Sequence, residues 1–136
     1  MAGLLGPLYH ACSAAGLIAA GGAAQATQRA NLLALTPVVT SEQARAMLSR
    51  GVVFVDARHE FDYQAGHIPG AINVPIGATV EQRRASMASV PKSAKLVIYC
   101  QSLSCPYAEV VARRLERDGY THVSMFRAGW QEWNGQ

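Results

Sequence analysis

The stretch "VIYCQSLSCPYAEVVARRL", residues 97–115, holds an apolar run, a short polar loop and an amphipathic pattern in succession. Its first residues belong to "KLVIYC" at 95–100, a continuous apolar run that reads as a short strand covered on both faces. After Cys105, Pro106 suits the first turn of a helix, and Ala108, Val111, Ala112 and Leu115 recur at helical spacing, with Glu109, Arg113, Arg114, Glu116 and Arg117 toward water. Strand, loop and helix in that order form the repeating unit of an α/β domain. The loop carries two thiols five positions apart, Cys100 and Cys105.

The same alternation extends in both directions. "VVFVDA" at 52–57, "AINVPI" at 71–76 and "HVSMF" at 122–126 read as further strands. Thr40 with Gln43 forms a capping-box pattern ahead of Ala44, Met47 and Leu48, a short helix that Gly51 ends. Thr79 and Gln82 cap a second helix from Val80 to about Met87, and "RAGWQEWNGQ" at 127–136 turns into a terminal helix whose Trp130 and Trp133 form an apolar pair. Gly66, Gly70 and Gly129 read as turn positions that a side chain would strain. The spacing predicts an α/β domain with a mostly parallel central sheet flanked by helices.

A chain of 136 residues with 50% hydrophobic content supports one domain with an ordinary core. Its net charge of +3 comes from basic residues scattered among nine acids, which excludes a nucleic-acid surface. Three cysteines are too few for a disulfide scaffold. The four-residue spacer between Cys100 and Cys105 does not match zinc spacing, so no metal is expected.

Residues 1–28 contain no Lys, Arg, Asp or Glu, and the organisation reads as an apolar N-terminal segment at 1–28, a linker at 29–39 and the domain at 40–136. Within the first part, residues 4–24 match the length of one membrane-spanning helix, roughly 30 Å. Anchored there, the domain would face the cytoplasm, because Arg29, Arg45 and Arg50 all follow the segment. The rivals are a cleaved export signal ending near "AQA" at 24–26, and an apolar helix packed on a domain that is soluble in the cytoplasm.

In open α/β sheets, ligands collect beyond the carboxyl ends of the strands, where loops enter helix N-termini. Cys100 stands at such a place. The loop amides and the positive end of the next helix favour its thiolate over a thiol whose ordinary pKa of about 8.5 leaves roughly 3% ionised at pH 7. Gln101, Ser102, Leu103, Ser104, Cys105 and Tyr107 are the expected anion-binding loop, with Asp56 and Arg58 in support. The position fits a nucleophile, and it also fits an inert buried thiol closing a strand.

"VDARHEFDYQAGHIPGAINVP" at 55–75, "VIYC" at 97–100, "GYTHVSMF" at 119–126 and "AGWQEW" at 128–133 resemble, in order and spacing, the landmarks of rhodanese domains. The resemblance implies a single-domain sulfurtransferase whose cysteine at the Cys100 position takes sulfane sulfur as a persulfide and passes it to a thiol or other nucleophile, with no metal or organic cofactor. Donor and acceptor, each a small molecule or a protein, are then the implied partners.

This sequence departs from the family in its loop. Where many rhodaneses place an anion-binding arginine, five positions after the cysteine, it has Cys105, and no arginine occurs before Arg113. Thiosulfate is therefore a doubtful donor, phosphate chemistry lacks its clamp, and Arg58 is the nearest candidate cation. Cys105 is either a companion thiol that attacks a Cys100 persulfide, releasing sulfide and leaving a disulfide, or protects Cys100 from over-oxidation, or a plain residue at a helix start. A thiol–disulfide switch and a non-catalytic binding module at a membrane are the alternative functions. His67 reads as a turn-fixing residue, and His59 and Glu60 as solvated.

Overall fold

The computed structural model describes residues 35–135. Its strands are β1 (Val53–Asp56), β2 (Ile72–Asn73), β3 (Lys95–Tyr99) and β4 (His122–Phe126). They pair in the order β2-β1-β3-β4, every pair parallel. The helices are α1 (Ser41–Ser49), α2 (Glu60–Ala65), α3 (Val80–Ser86), α4 (Tyr107–Arg117) and α5 (Gly129–Asn134). This is the expected α/β architecture. The apolar segment at 4–24 lies outside the described residues, and among those no helix is long and apolar enough to cross a membrane.

Both predicted capping boxes form. Gln43 N–H donates to Thr40 Oγ1 at 3.2 Å while Thr40 N–H donates to Gln43 Oε1 at 2.9 Å, and Thr79 with Gln82 repeats the exchange at 3.1 and 2.9 Å. Each pair satisfies two amides that a helix start leaves without partners.

Strand periodicity divides the core into two layers. Val55, Leu96, Ile98, Cys100, Val123 and Met125 pack on one side of the sheet with Val111, Ala112 and Leu115 of α4. Phe54, Val97, Tyr99 and Phe126 pack on the other with Ala44 of α1, and Trp130 and Trp133 of α5 close over them. Cys100 thus continues the α4 side, whereas its neighbours in sequence, Tyr99 and Gln101, belong to the α5 side.

Three readings change. The strand expected at 71–76 shrinks to Ile72–Asn73, because Pro75 has no amide to donate; beyond it Val74 N–H still reaches the Asp56 carbonyl at 2.9 Å and Ile76 N–H the Ala57 carbonyl at 3.1 Å. Helix α2 was not anticipated, since none of its six residues is buried and it therefore has no apolar stripe to read. On α4, Arg117 is exposed as expected, but Arg114 donates to the Ile76 carbonyl at 2.6 Å and Glu116 accepts from Thr36 Oγ1 at 3.0 Å.

A buried ion pair ties α3 to the end of α4. Arg83 Nε and Nη2 donate to the two carboxylate oxygens of Asp118 at 2.6 and 3.1 Å. The bond from Arg83 holds the Asp118 carboxyl below its ordinary range, against a smaller opposing effect of burial. A depressed carboxylate pKa contributes stability that is complete above the unfolded-state value of about 3.9 and is lost as pH falls through the lower folded value. Asp118→Asn is therefore expected to lower stability by about 2 kcal/mol at pH 7. Below about pH 4 its urea midpoint should converge on that of the parent protein. An unchanged gap between the two curves across that range would rule out this linkage.

Candidate active site

β3 ends at Tyr99, and the chain then passes through the loop 100–106 into α4. Cys100, 2% exposed, is bonded through its sulfur to Cys105, with the two Cα atoms 6.2 Å apart. That separation is within the ordinary range for a disulfide. Cys105 N–H donates to the Ser102 carbonyl at 3.0 Å, a turn that brings the second cysteine back over the first. The Ser102 and Ser104 hydroxyls lie 3.2 Å apart, and Leu103, 73% exposed, forms the outer edge of the loop. Tyr107, expected within the loop, instead opens α4 and meets His59 edge-on at 5.9 Å between ring centroids.

The opposite face of the strand end is braced. Asp56, wholly buried, accepts from the backbone amide and Nε of Arg58 at 2.9 and 3.1 Å, from its Nη2 at 2.7 Å, and from the Tyr99 hydroxyl at 2.8 Å. Tyr99 in turn accepts from Ile68 N–H at 3.0 Å. Burial is the main reason the Tyr99 hydroxyl is driven far above its ordinary pKa, with the Asp56 charge acting in the same direction. Although burial works against the charge on Arg58, its bonds to Asp56 prevail and raise its pKa. Arg58 also donates from Nη2 to the Gly66 carbonyl at 2.7 Å and from Nη1 to Gln101 Oε1 at 3.1 Å, and its guanidinium lies 5.1 Å from the centre of a Trp130 ring.

Of the two roles read for Arg58, support of the strand end and steering of an anionic donor, these contacts favour the first. Arg58 is 3% exposed, its charge is met by Asp56, and it positions Gln101.

Helix α5 holds the loop from behind. Trp130 N–H donates to the Cys100 carbonyl and Gln131 N–H to the Gln101 carbonyl, both at 2.9 Å. Gly129 makes that approach possible. Its φ is +70°, and a Cβ there would stand 3.0 Å from the Gln101 carbonyl carbon and 3.1 Å from that of Cys100. Gly66 excludes a side chain for a reason other than strain: its backbone is extended, and the Trp130 indole lies 2.8 Å from where a Cβ would be. His67 is held in place by the Tyr63 carbonyl at 2.8 Å and stacks on the Tyr63 ring.

A depression of about 170 Å³ opens beside the loop, with Cys105, Ala108, Glu109, Met125 and Arg127 in its wall. Arg127 was missed in the sequence. It follows β4 directly, at the carboxyl end of a strand adjacent to β3, and only the strand order brings it to the loop. Glu109 accepts from Arg127 at 3.2 Å and from Arg113 at 3.1 Å. Two guanidiniums thus share one carboxylate beside the loop, one following β4 and one on α4, and both are more exposed than Arg58. Among the described residues no group of three or more His, Cys, Asp or Glu gathers as a metal site.

The model of the family described as rhodanese-like domain matches residues 40–136. A helix-turn-helix-type transcriptional regulator of Mycobacterium tuberculosis is 34% identical over 96 residues, which are 71% of this chain and 40% of the regulator, so the chain spans well under half of that relative. Among solved structures, a human single-domain sulfurtransferase superposes with a TM-score of 0.60 at 22% identity, over 75% of this chain and 98% of the other. A protein of Bacillus halodurans gives 0.65 at 19% identity, over 85% and 81%. At these identities the two structures establish the fold.

Proposed function

Because this chain belongs to the rhodanese-like domain family, we propose that it moves sulfane sulfur through a persulfide on Cys100 to a thiol or other nucleophilic acceptor. One observation carries the reading. Cys100 is the first residue past a central parallel strand, on a loop that leads into the N-terminus of the eleven-residue helix α4. There an anion on sulfur is favoured by the helix end and by loop amides. The reduced thiolate attacks the outer sulfur of a donor, the donor's leaving group departs, and Cys100 carries Cys–S–S⁻ until an acceptor attacks its terminal sulfur. Arg127, in the wall of the depression, would receive the negative end of an anionic donor in place of the arginine missing from the loop, giving up its contact with Glu109 to do so.

The Cys100–Cys105 bond favours a second reading, a thiol–disulfide switch. In that bonded state the nucleophile is unavailable, so sulfur loading must begin from reduced protein. Reduced full-length protein, incubated with sulfane-sulfur donors and measured by intact mass, is expected to gain one sulfur atom, and Cys100→Ala to gain none. Unchanged mass with every donor would overturn the transfer reading and leave the switch or a binding module.

A further inference from the structure

We propose that Cys105 discharges the Cys100 persulfide as hydrosulfide, so that the domain is also a persulfide reductase coupled to an external dithiol. The inference rests on Cys100 taking sulfane sulfur. Its own ground is the bond between the two cysteines, together with the way the loop presents them.

A persulfide offers two sulfurs to a nucleophile. Attack on the outer one transfers sulfur to the attacker, whereas attack on the inner one, Cys100 Sγ, expels the outer sulfur. An acceptor arriving from solvent meets the outer sulfur, because Cys100 itself is 2% exposed and packed among Ile98, Val111 and Met125. Cys105 is placed differently. It is half-buried against the same core layer and within bonding reach of Cys100 Sγ. The Cys100 end of the loop is fixed by Trp130, Gln131 and Arg58, while the turn from Ser102 to Cys105 returns the second thiol to it. Held in this way, Cys105 competes as an intramolecular nucleophile against any dissolved thiol.

The step balances without a further oxidant. The Cys105 thiolate forms a bond to Cys100 Sγ, the bond from Sγ to the outer sulfur breaks, and its electron pair leaves with that sulfur, which takes a proton from solvent as HS⁻. Two cysteine sulfurs are oxidised to the disulfide and one sulfane sulfur is reduced to sulfide. A protein or small-molecule dithiol then restores the pair by attacking Cys105, the more open of the two sulfurs. Cys100 is the leaving thiolate, stabilised where α4 begins.

The test uses the full-length chain with Cys12→Ser in every arm, so that the pair holds its only thiols. Reduced protein receives benzenethiosulfonate anaerobically. That donor leaves as benzenesulfinate, so hydrosulfide has no source except the second step. The parent pair is expected to lose two hydrogens and release one equivalent of hydrosulfide per chain. Cys105→Ser and Cys105→Ala are expected to keep one added sulfur and to release none until an external thiol is added. If the parent pair holds the added sulfur as stably as the two variants do, the inference falls and sulfur loading at Cys100 stands. A disulfide that forms without hydrosulfide also overturns it. If neither the parent nor the variants gain sulfur or release hydrosulfide, the underlying transfer reading falls with it.

Discussion

Asp56→Ala is expected to destabilise the domain by about 3–5 kcal/mol, much of the 5–15 kcal/mol that usually separates folded from unfolded protein. The carboxylate is wholly buried and accepts from three nitrogens of Arg58 and from the Tyr99 hydroxyl. Its loss leaves a guanidinium charge in a site that is 3% exposed, with only the Gly66 carbonyl and the Gln101 side chain for partners. An uncompensated buried charge is among the most costly single defects a small domain can carry. Tyr99→Phe, which removes one hydroxyl and leaves the ion pair, should cost about 1–3 kcal/mol. Urea midpoints measured for the two variants, with unchanged dependence on denaturant, check the order. An Asp56→Ala midpoint close to that of the parent would mean that the brace contributes little.

Gly129→Ala tests the same loop from the other side. The alanine methyl would need the left-handed backbone at φ +70° and would press on the Cys100 carbonyl oxygen, at a position with backbone on the opposing side and no flexible side chain to yield. Strain and crowding together should cost about 2–4 kcal/mol. The effect on chemistry should exceed the effect on stability. Relief of the contact pulls Trp130 and Gln131 away from the two carbonyls they hold, and a displacement of about 1 Å at a reacting group can lower a rate about 100-fold. Sulfur loading measured below the variant's melting temperature should therefore fall by that order while circular dichroism still reports a folded sheet. Loading at the parent rate would show that the loop does not depend on α5.

What was readable in the sequence was whatever has a short period or a local partner. The capping boxes at Thr40 and Thr79 are pairs three residues apart, and the apolar repeat of α4 lies within one helix; both formed as read. Strand β4 formed over its full expected span. What could not be read depends on neighbours remote in sequence. Arg58 reads as support for the strand end or as a candidate cation, and its partners are fixed only when the parallel pairing sets Asp56 beside Tyr99 and buries all three side chains together. Arg127 looks like a turn residue until β4 lies beside β3. The spacing of Cys100 and Cys105 left several roles open, and the turn at Ser102 brings the two sulfurs into a bond. Helix α2, with nothing buried, has no signal of the kind that reveals a helix.

The alternation along β3 has a further consequence. Cys100 and Gln101 leave the strand toward opposite sides, so the sheet acts as a partition between the side that carries the two thiols and the side that fixes the backbone. Residues such as Cys105, Glu109 and Arg127 lie on the first side, and Asp56, Arg58, Tyr99 and Trp130 on the second. In the proposed transfer, changes on the first side are expected to alter which donor or acceptor is accepted without loosening the brace, and strengthening the brace is expected to leave the entrance unchanged. The depression and the brace are therefore set on opposite sides of the sheet, because one strand end sends consecutive side chains in opposite directions.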